Sequence, residues 1–244
     1  MLSNQYKTVL VTGASSGIGK ATVELLTKNN FEVYALARRK KQLLKISKAT
    51  GCKIISLDIT NTKDIQILRK IKFDVLINNA GLGKGFEAIH KTEIHDIKVT
   101  VDTNVNALLQ LIRCILPNMI KNKRGHIINI GSIAGLYPLH SSVYGGTKGA
   151  VHLITQNLRL ELLGTGIRCT EINPGRVDTD FFDIAFKTKK EANKMKSGLK
   201  LLEPSDIANN ILYALRVPAH VNISLIEVTP TEQAPGGVKI NKVN

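Results

Sequence analysis

Residues 13–19 read Gly-Ala-Ser-Ser-Gly-Ile-Gly. They lie between the apolar run Thr8–Val11 and Ala21-Thr22-Val23-Glu24-Leu25-Leu26, where apolar positions recur at helical spacing. A strand that turns through glycines straight into a helix leaves the first helical N–H groups free, at the end where peptide dipoles favour negative charge. That arrangement suits a pyrophosphate, and hence a dinucleotide. Alone, the three glycines also describe an ordinary tight turn. A second feature narrows the choice: Tyr144 precedes Lys148 by four residues, and Ser132 lies upstream of both. Residues four apart on a helix share a face, so a phenol and an ammonium can act together.

The rest of the chain repeats the strand–helix alternation. Apolar runs predict strands at Thr8–Val11, Glu32–Ala37, Lys53–Leu57, Asp74–Asn78, His126–Ile130, Arg168–Ile172 and Ile223–Val228. Helical patterns between them include Arg38–Ser47, Val105–Lys121, Gly149–Leu163 and Ser205–Arg216. Fully apolar strands separated by helices imply a parallel sheet covered on both faces, a doubly wound α/β (Rossmann) fold. With no repeat, linker or break in composition, the reading is a single domain over residues 1–244. Ligands of such sheets bind outside the carboxyl ends of the strands. Gly13, Arg38, Asp58, the run Asn78-Asn79-Ala80-Gly81, Ser132 and Pro174-Gly175 each follow one of the first six strands, outlining one crevice.

Each of these residue types has a chemical reason to be there. About 20 positions beyond the glycines, dinucleotide folds carry an acid that binds the adenosine ribose. Here Arg38-Arg39 take that place, and a guanidinium offers charge and a planar fork of donors to a 2′-phosphate. The expectation is NADP; the alternative is two solvated arginines opening the helix Arg38–Ser47. A phenol titrates near 10 in water, too high for a neutral-pH base; a neighbouring ammonium together with an oxidised nicotinamide favours the phenolate and lowers it. Tyr144 with Lys148 is therefore the expected acid/base pair, with Ser132 on the same substrate oxygen. Tyr137 has Ser141 four residues on, without a cation, and is set aside. Asn104 reads by itself as a helix cap. Gly145, Gly146 and Gly149 mark either a glycine-tolerant helix start or a close approach by backbone or cofactor. His152 shares a face with Lys148 and is expected to support or pack.

Composition excludes other classes. No apolar run reaches the roughly 18 residues of a membrane helix, and the first residues show no secretory pattern. Cys52, Cys114 and Cys169 fit neither a disulfide framework nor a metal knuckle, and the six histidines form no metal pattern, so no metal is expected and the cytoplasm is the expected location. The 34 Lys and Arg against 19 Asp and Glu give +15. Spread along the chain, these cations read as a lysine-biased surface that attracts anionic ligands, not as a nucleic-acid footprint. The densest stretch, Lys187–Lys200, holds six lysines and one glutamate.

Taken together, Thr12-Gly13-x3-Gly17-x-Gly19, Asn78-Asn79-Ala80-Gly81, Asn104, Ser132, Tyr144-x-x-x-Lys148 and Pro174-Gly175 resemble the short-chain dehydrogenase/reductase family over essentially the whole chain. The resemblance implies a seven-stranded parallel sheet, a small-molecule substrate, and a homotetramer or homodimer. It implies Tyr144 as proton donor and acceptor, Ser132 orienting the carbonyl, Lys148 on the nicotinamide ribose, and Asn104 holding a relay water. Cofactor contacts would come from Gly13, Ser15, Ser16, Gly17, Ile18 and Gly19, from Arg38 and Arg39, from Asp58 and Ile59 at the adenine, and from Asn79, Ala80 and Gly81. Pro174, Gly175, Val177 and Thr179 would meet the nicotinamide, beside a substrate lid near residues 181–200. The stretches 125–132 and 218–223 are similar to NADP-dependent 3-hydroxy acid dehydrogenases, which act on serine, L-allo-threonine or malonic semialdehyde. Two other functions compete: reduction of another carbonyl (3-oxoacyl, sugar or steroid-like), and a non-catalytic NADP-sensing or RNA-binding role. Retention of Tyr144, Lys148, Ser132 and Asn104 argues against the latter.

Overall fold

Val9 and Val11 are buried in one apolar cluster and Leu10 in another, so the first strand is sandwiched between two layers. The computed structural model describes residues 6–234; the remainder of the expected 1–244 domain lies outside the described residues. Strands β1 (Thr8–Thr12), β2 (Glu32–Ala37), β3 (Lys53–Ser56), β4 (Val75–Asn78), β5 (Gly125–Ile130), β6 (Ile167–Pro174) and β7 (Leu225–Val228) form one sheet. Its order is 3-2-1-4-5-6-7 and all six pairings are parallel. This is the doubly wound topology, with its switch point between β1 and β4.

The helices, in chain order, are α1 (Gly17–Lys28), α2 (Lys40–Thr50), α3 (Thr62–Ile65), α4 (Ile94–Val101), α5 (Ala107–Lys121), α6 (Ile133–Leu136), α7 (Ser142–Glu161), α8 (Phe181–Ala185), α9 (Lys189–Lys196) and α10 (Pro204–Arg216). Val23, Leu26, Leu43, Ile46, Ile207 and Ile211 bring α1, α2 and α10 onto one face. Ile65, Leu111, Ile115, Val151 and Leu158 bring α3, α5 and α7 onto the other.

Several boundaries differ from the sequence expectation, each for a physical reason. Helix α7 begins at Ser142 instead of Gly149, because the Ser141 hydroxyl accepts the Tyr144 N–H at 3.2 Å and caps it ahead of the glycines. Gly146 has nothing within 4 Å of an added Cβ, and Gly149 meets only Gly135 O at 3.9 Å, so both are tolerated helix glycines. The close approach is at Gly135, where a Cβ would stand 2.5 Å from Lys148 O; that glycine lets α6 lie against the Tyr144–Lys148 turn of α7. Helix α2 starts at Lys40, after both arginines. Helix α10 opens one residue early, at Pro204, with a Glu203/Asp206 capping box. Strand β7 opens at Leu225, and before it Asn222 continues the pairing with its side chain, exchanging bonds with Cys169 N and O at 3.1 and 3.2 Å.

The expected helix Val105–Lys121 is longer and irregular. Helix α4 runs into α5 through a π-turn, Asp102–Asn106, and Asn104 is buried in that turn with no capping role. Such turns recur where a helix must aim one side chain.

Candidate active site

The strand ends open into a cavity of about 990 Å³. Gly13 has φ +65°, and a Cβ there would fall 2.9 Å from Ala80 Cα; at Gly19 it would fall 2.4 Å from Gly13 O. These two contacts close the turn and point the α1 N-terminus at the cavity. The Ser16 N-cap makes no side-chain bond to its helix, leaving those N–H groups to a ligand. Thr12 Oγ1 accepts the N–H groups of Asn79 and Ala80 at 3.0 and 3.1 Å, tying the end of β1 to the loop after β4. Arg39 donates from Nε and Nη2 to Ser15 Oγ (3.0 and 2.9 Å) and from Nη2 to Ser16 Oγ (2.6 Å). Arg38 Nη1 stands 3.6 Å from Asp58 Oδ2. This donor set fits a phosphorylated adenosine ribose beside a pyrophosphate.

At the far end of the crevice, Ser132 follows β5, caps α6 through the Ala134 N–H at 3.1 Å, and acts on the Tyr144 phenol, lowering its proton affinity. Lys148 Nζ donates to Ile130 O at 2.8 Å and lies 6.0 Å from the Tyr144 ring centre. Burial pushes the Tyr144 phenol up to about 12, against the opposing influence of the Ser132 hydroxyl. Burial likewise lowers the Lys148 ammonium to about 8, while the Glu171 carboxylate holds it up. The expected lowering belongs to the phenol beside both an ammonium and an oxidised nicotinamide; in the free protein desolvation dominates, and the Lys148 ammonium is held on the Ile130 carbonyl.

Asn104 donates both amide hydrogens, to Leu82 O (2.9 Å) and Thr147 Oγ1 (3.0 Å), and accepts Leu82 N–H (2.8 Å). A Cβ at Gly81 would lie 3.4 Å from Asn104 Oδ1 and 3.7 Å from Lys148 Nζ, so both face the same small space. One Oδ1 lone pair is left for a water there.

The cavity wall takes in every expected cofactor and catalytic residue except Gly19 and Asn104, which stand directly behind it. Tyr137 is elsewhere, donating to Glu227 at 3.0 Å. Arg176 lines the cavity and orders its loop, with Nη1 on Met195 O (3.2 Å) and its N–H on Gln233 Oε1 (2.9 Å). The lysine-rich segment forms α9 and the chain flanking it, with Lys187 paired to Glu87 (2.8 Å), Lys196 paired to Asp183 (2.6 Å), and Lys194 lining the cavity.

Sequence reasoning missed Phe86, Leu139, Met195 and Gln233, and it left His152 and Glu171 without a defined part. His152 Nδ1 lies 2.6 Å from Glu171 Oε2, and its Nε2 lies 2.6 Å from the Gln156 amide. An amide donating to Nε2 leaves the proton on Nδ1, donated to the carboxylate. Glu171 is buried and its Oε1 has no hydrogen-bond partner. An acidic residue inside an apolar strand pattern was the available signal, but only the fold brings it into electrostatic reach of Lys148.

A doubly wound sheet ending in a glycine turn, two arginines and a Ser–Tyr–Lys cluster defines a dinucleotide-dependent oxidoreductase. The chain belongs to the short chain dehydrogenase family, which matches residues 7–190. It is 37% identical to the NADP-dependent 3-hydroxy acid dehydrogenase YdfG of Salmonella typhi, over 96% of this chain and 99% of that protein. It is similar to the closed form of serine dehydrogenase complexed with NADP+, with TM-score 0.91 and 35% identity over 97% of this chain and 100% of that one. A structure of serine dehydrogenase from Escherichia coli aligns with TM-score 0.82 and 33% identity over 93% and 99% of the two chains. Among the described residues no helix is long and apolar enough to cross a membrane, and no group of His, Cys, Asp and Glu could hold a metal.

Proposed function

We propose that the protein is an NADP(H)-dependent oxidoreductase that interconverts 3-hydroxy acids and the corresponding carbonyl acids. The observation that carries this reading is the convergence of Tyr144, Ser132 and Lys148 on one wall of a cavity that also holds Arg38, Arg39 and the glycine turn. The bound nicotinamide supplies or takes the hydride. Ser132 orients the substrate oxygen, and Tyr144 gives that oxygen its proton in reduction and takes it back in oxidation. Lys148, as an ammonium, keeps the phenol poised for exchange. Asn104 holds a water that restores the proton. Residues 181–200 act as a lid that excludes water.

Arg176 and Lys194 are the cations at hand for a substrate carboxylate. A 3-hydroxy acid is therefore expected to be a better substrate than its methyl ester by tenfold or more in kcat/KM, because a hydrogen bond to a charged group contributes about 1.5–3 kcal/mol. Added salt should raise KM for the acid more than for the ester. The measurement is the near-ultraviolet absorbance of reduced nicotinamide with both compounds. Equal kcat/KM for the two would instead support a neutral-carbonyl reductase.

Glu171 gives a pH test of Lys148. Its carboxylate favours the charged amine, so Glu171→Gln lowers the Lys148 pKa. The alkaline limb of carbonyl reduction should move to lower pH, with activity kept on the acid side. Tyr144, whose ring centre is 6.0 Å from Lys148 Nζ, also faces the amine, and His152 pairs with Glu171 at 2.6 Å. An unchanged kcat–pH profile in E171Q would remove Glu171 from the site.

We also infer a homotetramer or homodimer in the cytoplasm. Leu109 (42%) and Ile120 (43%) of α5 and Leu153 (57%) and Leu160 (69%) of α7 are exposed on helices covering the same side of the sheet, an apolar face suited to a second copy. The three cysteines are buried and unpaired.

A further inference from the structure

Only 5% of the chain is aromatic, yet four of its six phenylalanines line this cavity. The Tyr144 ring is flanked by Phe86 (centroids 5.2 Å apart) and Phe181 (5.3 Å), with Phe186 beyond Phe86 at 5.2 Å. Phe31 and Phe73, by contrast, are 5% and 2% exposed, as core side chains are. Phe86, Phe181 and Phe186 are only partly buried, and their open surface faces the cavity. These rings are held in place. A Cβ at Gly83 would strike Phe181 Cζ at 2.3 Å, so that ring is seated on a glycine. The Lys187–Glu87 pair (2.8 Å) clasps the two segments that carry Phe186 and Phe86.

Resting on the 3-hydroxy acid reading above, we propose that the substrate's reacting carbon carries an apolar substituent, aryl or branched alkyl, in the pocket of Phe86, Phe181 and Phe186. The rings give a polar substituent no hydrogen-bond partner, so seating a hydroxyl or ammonium there leaves it unsatisfied. An apolar group removes its own surface and that of three rings from water. The rim supplies the opposite chemistry. Arg176 and Lys194 line the same cavity, and Lys194 has no ion pair among the described residues. The pocket thus reads both ends of an amphipathic acid, a carboxylate at the rim and an apolar group beside the phenol. This differs from serine, whose reacting carbon carries only hydrogen and whose ammonium the rings do not serve.

The test compares kcat/KM of the NADP+-loaded enzyme for 3-hydroxy-3-phenylpropionate and 3-hydroxy-4-methylpentanoate with that for 3-hydroxypropionate and serine. The apolar acids are expected to be better by tenfold or more, and Phe86→Ala should bring that ratio toward one. Phe86→Leu, which keeps an apolar wall and guards against a folding defect, should retain the preference for the branched acid. Calorimetry on the NADP+ complex should show 3-phenylpropionate binding at least tenfold tighter than propionate. Small acids serving as well as apolar ones, or a ratio indifferent to Phe86→Ala, would overturn the aromatic pocket and leave the 3-hydroxy acid reading intact. Turnover of none of the four acids would overturn that reading and this one with it.

Discussion

Replacing Tyr144 with Phe should lower turnover by about 10²-fold or more, the usual contribution of a positioned acid/base. The substitution keeps the ring between Phe86 and Phe181 and loses only the hydroxyl. Stability should therefore hold, and NADP+ affinity should change little, since Lys148 keeps its bond to Ile130 O. In the free protein, burial pushes the phenol up to about 12, so it is fully protonated at neutral pH and ready to donate in the reductive direction. Oxidation needs the phenolate, and should therefore gain more than reduction from raising the pH. Thermal melts, cofactor titration and single-turnover rates on the purified variant separate these outcomes. Undiminished hydride transfer in Y144F would assign the proton to another group.

The second large effect is on cofactor choice. Arg38→Ala with Arg39→Ala should weaken NADPH binding by tenfold or more and leave NADH nearly unchanged. Each charge-assisted contact with the 2′-phosphate contributes about 1.5–3 kcal/mol. The arginines are not committed elsewhere. Arg38 is 67% exposed and meets Asp58 only at 3.6 Å, a contact of little value in water. Arg39 bonds two neutral hydroxyls, Ser15 and Ser16, that themselves border the cavity. Calorimetric titration of both dinucleotides into wild type and variant measures the effect directly. Wild-type protein that binds NADH as tightly as NADPH would refute this role.

What the chain determines locally was legible in its sequence. Apolar runs of β-strand length, each ending in a glycine or a polar residue, located all seven strands to within two residues at either end, because burial on both faces of the central strands demands near-continuous apolarity and the edge strands β3 and β7 keep a short apolar run. The parallel order then puts the six strand-end motifs in one crevice without further information. The Tyr144–Lys148 face is equally local, being one helical turn. Other features rest on contacts between distant segments, which no local pattern encodes. The capping reading of Asn104 failed because the π-turn that buries it is held by Leu82 and Thr147, from two other parts of the chain. Of the α7 glycines, Gly146 and Gly149 are open and Gly145 packs closely on Leu139 and Ala134, while Gly135, unnoticed in a short helix, is where backbone meets backbone. Lys148 and Tyr144 have the expected spacing, but burial shifts both proton affinities, opposed at Tyr144 by Ser132 and at Lys148 by Glu171, which β6 carries into electrostatic reach. The aromatic wall joins Phe86 to Phe181 and Phe186 across nearly a hundred residues of chain, so the substituent it accepts was decided only when the sheet brought those loops to one edge.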